Sequence, residues 1–236
     1  MKSNMLILHR VPPGGHNYYL RAAGEPRRGG EGPGGWIMGA AALGFAEERP
    51  VTAAQLRAVL PSGTARVAAF DATFAAPKSV SVLHGLGNPA VRAEVEAAHD
   101  GAVRAGLAYL ERHACAVRTG GIVARTSGLT VAGFRHRSSR ALDPHLHTHA
   151  LLANRAPAPD DGRPLALHSP LLYGSRRAAG AVYQAVLRHR LSATLGLRWS
   201  VPIGGRADAQ VVPSRVRSAF SIRGRQVMAA AGSDLG

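Results

Sequence analysis

Phe134-Arg-His-Arg-Ser-Ser-Arg-Ala-Leu-Asp-Pro-His-Leu-His-Thr-His-Ala-Leu-Leu-Ala-Asn154 decides how this chain is read. Its second half, His145 to Ala153, is flanked by apolar residues and reads as a strand, whose period of two puts His147 and His149 on one face. Leu129 to His136 reads as a neighbouring strand ending in a third imidazole, His136. Three nitrogen ligands leave coordination positions open, which is how catalytic rather than structural metals are usually held. His145 would share the face if the strand already runs there, but Pro144 marks the strand's start and ranks His145 below the other three. His-x-His alone is a weak signal. His9, His84, His99, His113 and His189 have no spacing that separates them from ordinary surface or core histidines.

Apolar residues make up 46% of the 236, enough for a sizeable core in one domain. Lysine and arginine number 29 against 14 acids, a formal net charge of +15. Only Lys2 and Lys78 are lysines, so the excess is arginine, the side chain that pairs bidentately with phosphate and stacks on bases. A nucleic-acid partner is the first expectation and an acidic membrane surface the second. A GC-rich genome explains arginine in place of lysine but not the shortage of acids. Cys115 is the one cysteine, which excludes an internal disulfide and a cysteine-rich zinc site. No signal-peptide pattern and no run of 18 apolar residues is present, so the expectation is a soluble cytoplasmic protein without a membrane segment.

Along the chain, the apolar segment Met5 to Leu8 leads to Pro12-Pro-Gly-Gly-His-Asn-Tyr-Tyr, then to a Gly/Pro/Arg loop at 24–35 expected to be mobile. Ala53 to Leu60 has a short helical pattern. Ala65 to Phe74 alternates as a strand, with Val67, Ala69, Asp71 and Thr73 on one face. Pro89 to Val117 reads as a long helix stopped by Gly120-Gly121. Ile122 to Thr126 and Leu129 to His136 read as two strands around Ser127-Gly128. Ser175 to Leu195 is an amphipathic helix capped by Gly196, and Pro213 to Ala231 is a last helical segment. No P-loop motif occurs, so no ATPase or helicase is expected here.

Phe70-Asp-Ala-Thr-Phe-Ala-Ala-Pro-Lys-Ser-Val-Ser and the block from Phe134 to Asn154 resemble the two signature blocks of the MobF-class conjugative relaxases, the TrwC/TraI kind. Weaker resemblance covers the Tyr18-Tyr19 pair, Trp36-x-x-Gly-Ala-Ala-Ala-Leu-Gly, Tyr183-x-Ala-x-Leu-Arg and Phe220-Ser-x-Arg. The resemblance implies an α+β HUH endonuclease fold, a central antiparallel sheet with helices packed on one side. It also implies strand-specific nicking of single-stranded DNA at a transfer origin, with conjugation or relaxosome proteins as further partners.

Carried over residue by residue, the nucleophile is Tyr18, with Tyr19 as the alternative. A tyrosine that attacks a phosphodiester conserves the bond energy for later rejoining. His136, His147 and His149 would hold a divalent cation, Mg, Mn or Zn, and imidazoles suit Mn, Zn, Co or Ni better than Mg. Asp71 would hydrogen-bond a ligand histidine or take the tyrosine proton. Lys78, Arg135, Arg137 and Arg140 are the candidate phosphate contacts, and Trp36 and Trp199 candidate stacking platforms.

Two features depart from the pattern. Family enzymes often carry a second tyrosine pair soon after the first, whereas here the next tyrosine is Tyr109. They also usually continue into further domains, whereas this chain reads as one relaxase domain over 1–236 whose last helix, 213–236, is cut short. A domain taken from a longer protein, a stand-alone enzyme and a decayed gene all fit. The competing functions are a catalytically inactive single-stranded DNA-binding relative and, further off, a histidine-ligated metal hydrolase of small substrates.

Overall fold

The computed structural model describes residues 6–15, 17–22, 33–45, 50–61 and 66–222. Along them run β1 (Leu6–Val11), α1 (Asn17–Ala22), β2 (Gly35–Met38), α2 (Ala53–Val59), β3 (Ala69–Ala75), α3 (Lys78–Leu86) and α4 (Pro89–Ala114). Next come β4 (Ala116–Thr119), β5 (Ile122–Arg125), β6 (Val131–Ser138), β7 (Pro144–Ala153), β8 (Ala156–Pro157) and β9 (Pro164–Leu165). The helices α5 (Ser169–Leu195) and α6 (Ser214–Ala219) follow. Among the described residues, β1, β3, β7, β6 and β2 form one antiparallel sheet in that order. This is the α+β arrangement expected.

The central strand β7 is apolar on both faces beyond His149, and both faces are covered. On one face, Phe70, Phe74, Leu146 and Leu152 pack against α4 and α5 through Leu107, Leu110, Tyr183 and Leu187. On the other, Ala69, Leu151, Ala132 and Phe134 meet Tyr19 of α1, Trp36 of β2, and Leu56 and Val59 of α2. The expectation of helices on one side therefore holds for the long helices only. A capping box at Thr52 and Gln55 starts α2, which covers the second face together with α1. That second cluster stops short of the His147 end of β7, and there the sheet face is polar.

Several elements differ from their sequence pattern. The long helix ends at Ala114 instead of Val117, and Gly120-Gly121 is the two-residue turn of a β4–β5 hairpin. Both glycines have positive φ, +56° and +83°, as a tight hairpin that matches strand twist requires. β5 consequently pairs with β4, in a separate two-stranded sheet, and not with β6. α5 begins at Ser169, six residues before the amphipathic pattern becomes clear, with Pro170 in its first turn, and Gly196 caps it in the left-handed region. α3 and β2 have no counterpart in the pattern reading. Residues 24–32 of the Gly/Pro/Arg loop, and the part of the last helical segment from 223 onward, lie outside the described residues. Of that segment, Ser214–Ala219 is helical. Among the described residues, no helix is long and apolar enough to cross a membrane.

Candidate active site

Register builds the site. β6 and β7 run antiparallel with His136 opposite His147 and Phe134 opposite His149, so all three histidines project from one face. The rings form a near-equilateral triangle, with centroids 5.0 Å (His136–His147), 5.2 Å (His136–His149) and 5.1 Å (His147–His149) apart. Their ligand nitrogens all lie within 4.8 Å of one another.

The hydrogen bonds set the tautomers. His147 Nδ1 donates to the His145 carbonyl at 2.8 Å, and His149 Nδ1 donates to Asp71 Oδ2 at 2.8 Å. With Nδ1 committed to these bonds, Nε2 is the nitrogen that His147 and His149 each have left for a metal. Burial depresses the His147 pKa, outweighing the bond to the His145 carbonyl, and burial together with His147 and Lys78 brings His145 down to about 4. Three imidazoles converging on one point fit a divalent cation of the nitrogen-preferring kind. His145 lies in the strand and lines the cavity, with its ring 4.5 Å from that of His147, but is not one of the three converging ligands.

β3 supplies the carboxylate. Thr73 pairs with His149 and Asp71 with Leu151, so Asp71 is the diagonal neighbour of His149 on the same face. Asp71 is buried, and its Oδ2 also accepts from Tyr19 Oη at 2.8 Å, while Thr73 Oγ1 donates to Oδ1 at 3.3 Å. Tyr18 and Tyr19 are consecutive on α1, about 100° apart around the helix, and the structure separates them. Tyr19 is 6% exposed and packs on Phe134, with ring centroids 5.2 Å apart. Tyr18 is 43% exposed and its ring stands 6.5 Å from that of His136. A cavity of about 610 Å³ is lined by both tyrosines, the three histidines and Arg140.

Three of the four expected phosphate contacts have partners within the protein. Arg135 and Arg137 alternate with His136, so they project from the opposite face. There Arg135 meets Glu96 and Asp100 at 2.9 and 2.8 Å, and Arg137 meets Glu96 at 2.9 Å. Lys78 Nζ donates to the carbonyls of Pro144 and Phe220 at 2.9 and 3.0 Å, tying the start of β7 to the segment after α6. Arg140 alone of the four stands at the cavity. Trp36 is buried and stacked on Phe45, and Trp199 is half-buried against the larger core with its indole N–H bonded to Ser192, so neither is an open platform.

Pattern reading sets Thr73 on the Asp71 face and treats His99 as an ordinary histidine without giving either a partner, and it does not single out Thr148 or Glu96. Glu96, His99 and Asp100 lie at i, i+3 and i+4 of α4 among apolar neighbours, a polar group on one helical face that could have been noticed.

A family model described as TrwC relaxase matches residues 8–234. Two curated relatives from Escherichia coli, each the Multifunctional conjugation protein TraI, are 32% and 30% identical over 175 residues, 70% of this chain. The chain spans about a tenth of their length. Among solved structures, TrwC complexed with a 27-mer DNA comprising the recognition hairpin and the cleavage site superposes with a TM-score of 0.81 at 26% identity. TrwC with OriT DNA in its metal-bound form gives 0.82 at 26%, and a copper-bound form 0.79 at 29%. The first two matches cover 97% of this chain and 83% of the other, the third 96% and 84%. The chain belongs to the TrwC relaxase family, the MobF-class group its two histidine and aspartate blocks resemble.

Proposed function

We propose that this protein nicks single-stranded DNA at a transfer origin and holds one end covalently on Tyr18. The observation that carries the reading is the exposed Tyr18 ring beside His136, in the same cavity as a triangle of three converging imidazoles. A divalent cation held by His136, His147 and His149 would supply Lewis acidity, polarising the scissile phosphate. Tyr18 Oη forms a bond to phosphorus as the phosphorus–oxygen bond to the neighbouring nucleotide breaks. The phenol proton departs, and the leaving oxygen takes one up to become a hydroxyl. Because a phosphotyrosine replaces a phosphodiester, the step is close to reversible and suits a nick that is later rejoined.

Tyr19 has a different task. Its hydroxyl is given to Asp71, which also orients His149, so Tyr19 and Asp71 serve as supports that fix the histidine ring and the α1 backbone. Arg140, exposed at the cavity, is placed to meet a phosphate. A small-substrate hydrolase would need neither the net charge of +15 nor a tyrosine at the cavity mouth. We place the reaction in the cytoplasm and take the chain as one nicking domain. Other transfer proteins are expected beside it, in keeping with the conjugative role in the TraI name.

Incubation with a single-stranded oligonucleotide carrying the origin, with Mn²⁺ or Mg²⁺, should yield a protein–DNA adduct that survives denaturation. A chelator should abolish it. Full cleavage by the metal-free protein would overturn the metal-dependent reading, and binding without any adduct would make the chain a non-catalytic relative.

A further inference from the structure

His99 is fully buried and takes no part in the reaction above. Burial lowers its pKa to about 3, so the ring is neutral, with one nitrogen donating and the other accepting. Its Nε2 is 2.8 Å from Thr148 Oγ1 and its Nδ1 is 2.9 Å from Tyr183 Oη. Thr148 is the residue between His147 and His149, on the reverse face of β7. Three residues earlier on α4, Glu96 bonds Arg135 and Arg137, the two residues that flank His136 on the reverse face of β6. Glu96 also bonds His84 Nε2 at 2.8 Å. One turn of α4 thus grips, from behind, the neighbours of all three histidines.

We propose that Glu96 and His99 are positioning residues for the metal centre, a two-point clamp that sets the relative height and rotation of β6 and β7 and so the spacing of the three imidazoles. The inference rests on the reading of His136, His147 and His149 as metal ligands. The backbone ladder already sets His136 opposite His147, but it is irregular between His136 and Ser138, and it leaves the twist and tilt of the strand pair at the site less tightly fixed than its register. A hydrogen-bonded side chain fixes its partner's atom to within tenths of an ångström. The ligands sit one residue from those atoms, so the fix is passed to the metal site with little slack.

The test is Co²⁺ affinity, read from the visible absorption of the bound ion, with no DNA present. Thr148→Val removes the hydroxyl and keeps the shape, Thr148→Ser keeps the hydroxyl, and Glu96→Gln weakens the grip on the other strand. Val103→Ala, elsewhere on α4, is the control for plain loss of core stability. Thr148→Val is expected to weaken Co²⁺ binding about tenfold or more, Glu96→Gln severalfold, and Thr148→Ser and Val103→Ala less than about twofold. Wild-type affinity in both Thr148→Val and Glu96→Gln, or an equal loss in Val103→Ala, overturns the clamp. If Thr148→Val does not fold, Glu96→Gln against Val103→Ala decides. Failure of the unaltered protein to bind Co²⁺ would remove the metal centre itself, and the clamp with it, whereas the adduct assay tests the nicking reading separately.

Discussion

At the scale of single residues, the account turns on two adjacent tyrosines with opposite environments. Tyr18→Phe removes the attacking oxygen and keeps the exposed ring, so the adduct should fall below detection while DNA binding is retained. Tyr19→Phe removes a buried hydrogen bond to a carboxylate, which is worth about 1.5–3 kcal/mol. It should therefore lower thermal stability measurably and leave an adduct on Tyr18. Asp71→Asn should weaken metal binding on the order of 10- to 100-fold, seen by titration calorimetry, because it orients His149 and replaces a charged acceptor. The triad was legible because strand parity puts His147 and His149 on one face and the adjoining strand pattern ends in His136, a weak signal that the family resemblance of the surrounding block strengthened. The parity that exposes His136 to the cavity also turns Arg135 and Arg137 away from it, which their sequence positions already implied. What no local pattern carries is that α4 would bring Glu96 and Asp100 to meet them.

At the scale of elements, the strands and helices follow their periodicity wherever one face is apolar, and depart from it where distant partners decide. Cys115-Ala-Val-Arg continues a helical composition, yet the Gly120-Gly121 turn lets Ala116–Thr119 pair with Ile122–Arg125, and the helix ends early. The helices α4 and α5 lie close because Gly106 has no side chain. A Cβ there would come within 2.6 Å of the Phe74 ring and 3.2 Å of the Ala179 carbonyl. Gly106→Ala gains about 1 kcal/mol of helix propensity against an overpacking cost of about 1–3 kcal/mol in a fully buried core. A net loss in denaturant midpoint is expected, and a gain would show the interface to be looser than described. Glu96 gives an acid signature to the same helix. Burial pushes its pKa up, but hydrogen bonds from Arg137 and His84 and the charge of Arg135 more than offset this and leave it at about 2. A carboxylate depressed on folding stabilises above its ordinary range, and that contribution is lost as pH falls from about 4.5 towards 2. The stability of Glu96→Gln should therefore fall less steeply than that of the parent across this window, as measured by thermal unfolding.

At the scale of the whole molecule, the sheet's two faces divide the work, with the long helices and the ion pairs behind and the histidines, tyrosines and Arg140 in front. The net charge of +15 predicts binding to single-stranded DNA that weakens steeply with salt. With about six phosphates neutralised, the log–log slope should be on the order of −4, and a flat titration would remove the phosphate-tracking argument. Replacing Arg140 should reduce that slope, whereas replacing Arg135, which is spent on Glu96 and Asp100, should act on stability instead. The central claim, a phosphotyrosine on Tyr18, is tested most directly by mapping the covalent linkage. The protein is incubated with Mn²⁺ and single-stranded oligonucleotides tiled across its transfer origin, digested with protease and nuclease, and the modified peptide is sequenced by mass spectrometry. The account predicts a nucleotide on Tyr18, absent after Tyr18→Phe. A nucleotide on Tyr19 or on any other residue, or cleavage of the origin without a covalent peptide, would contradict it.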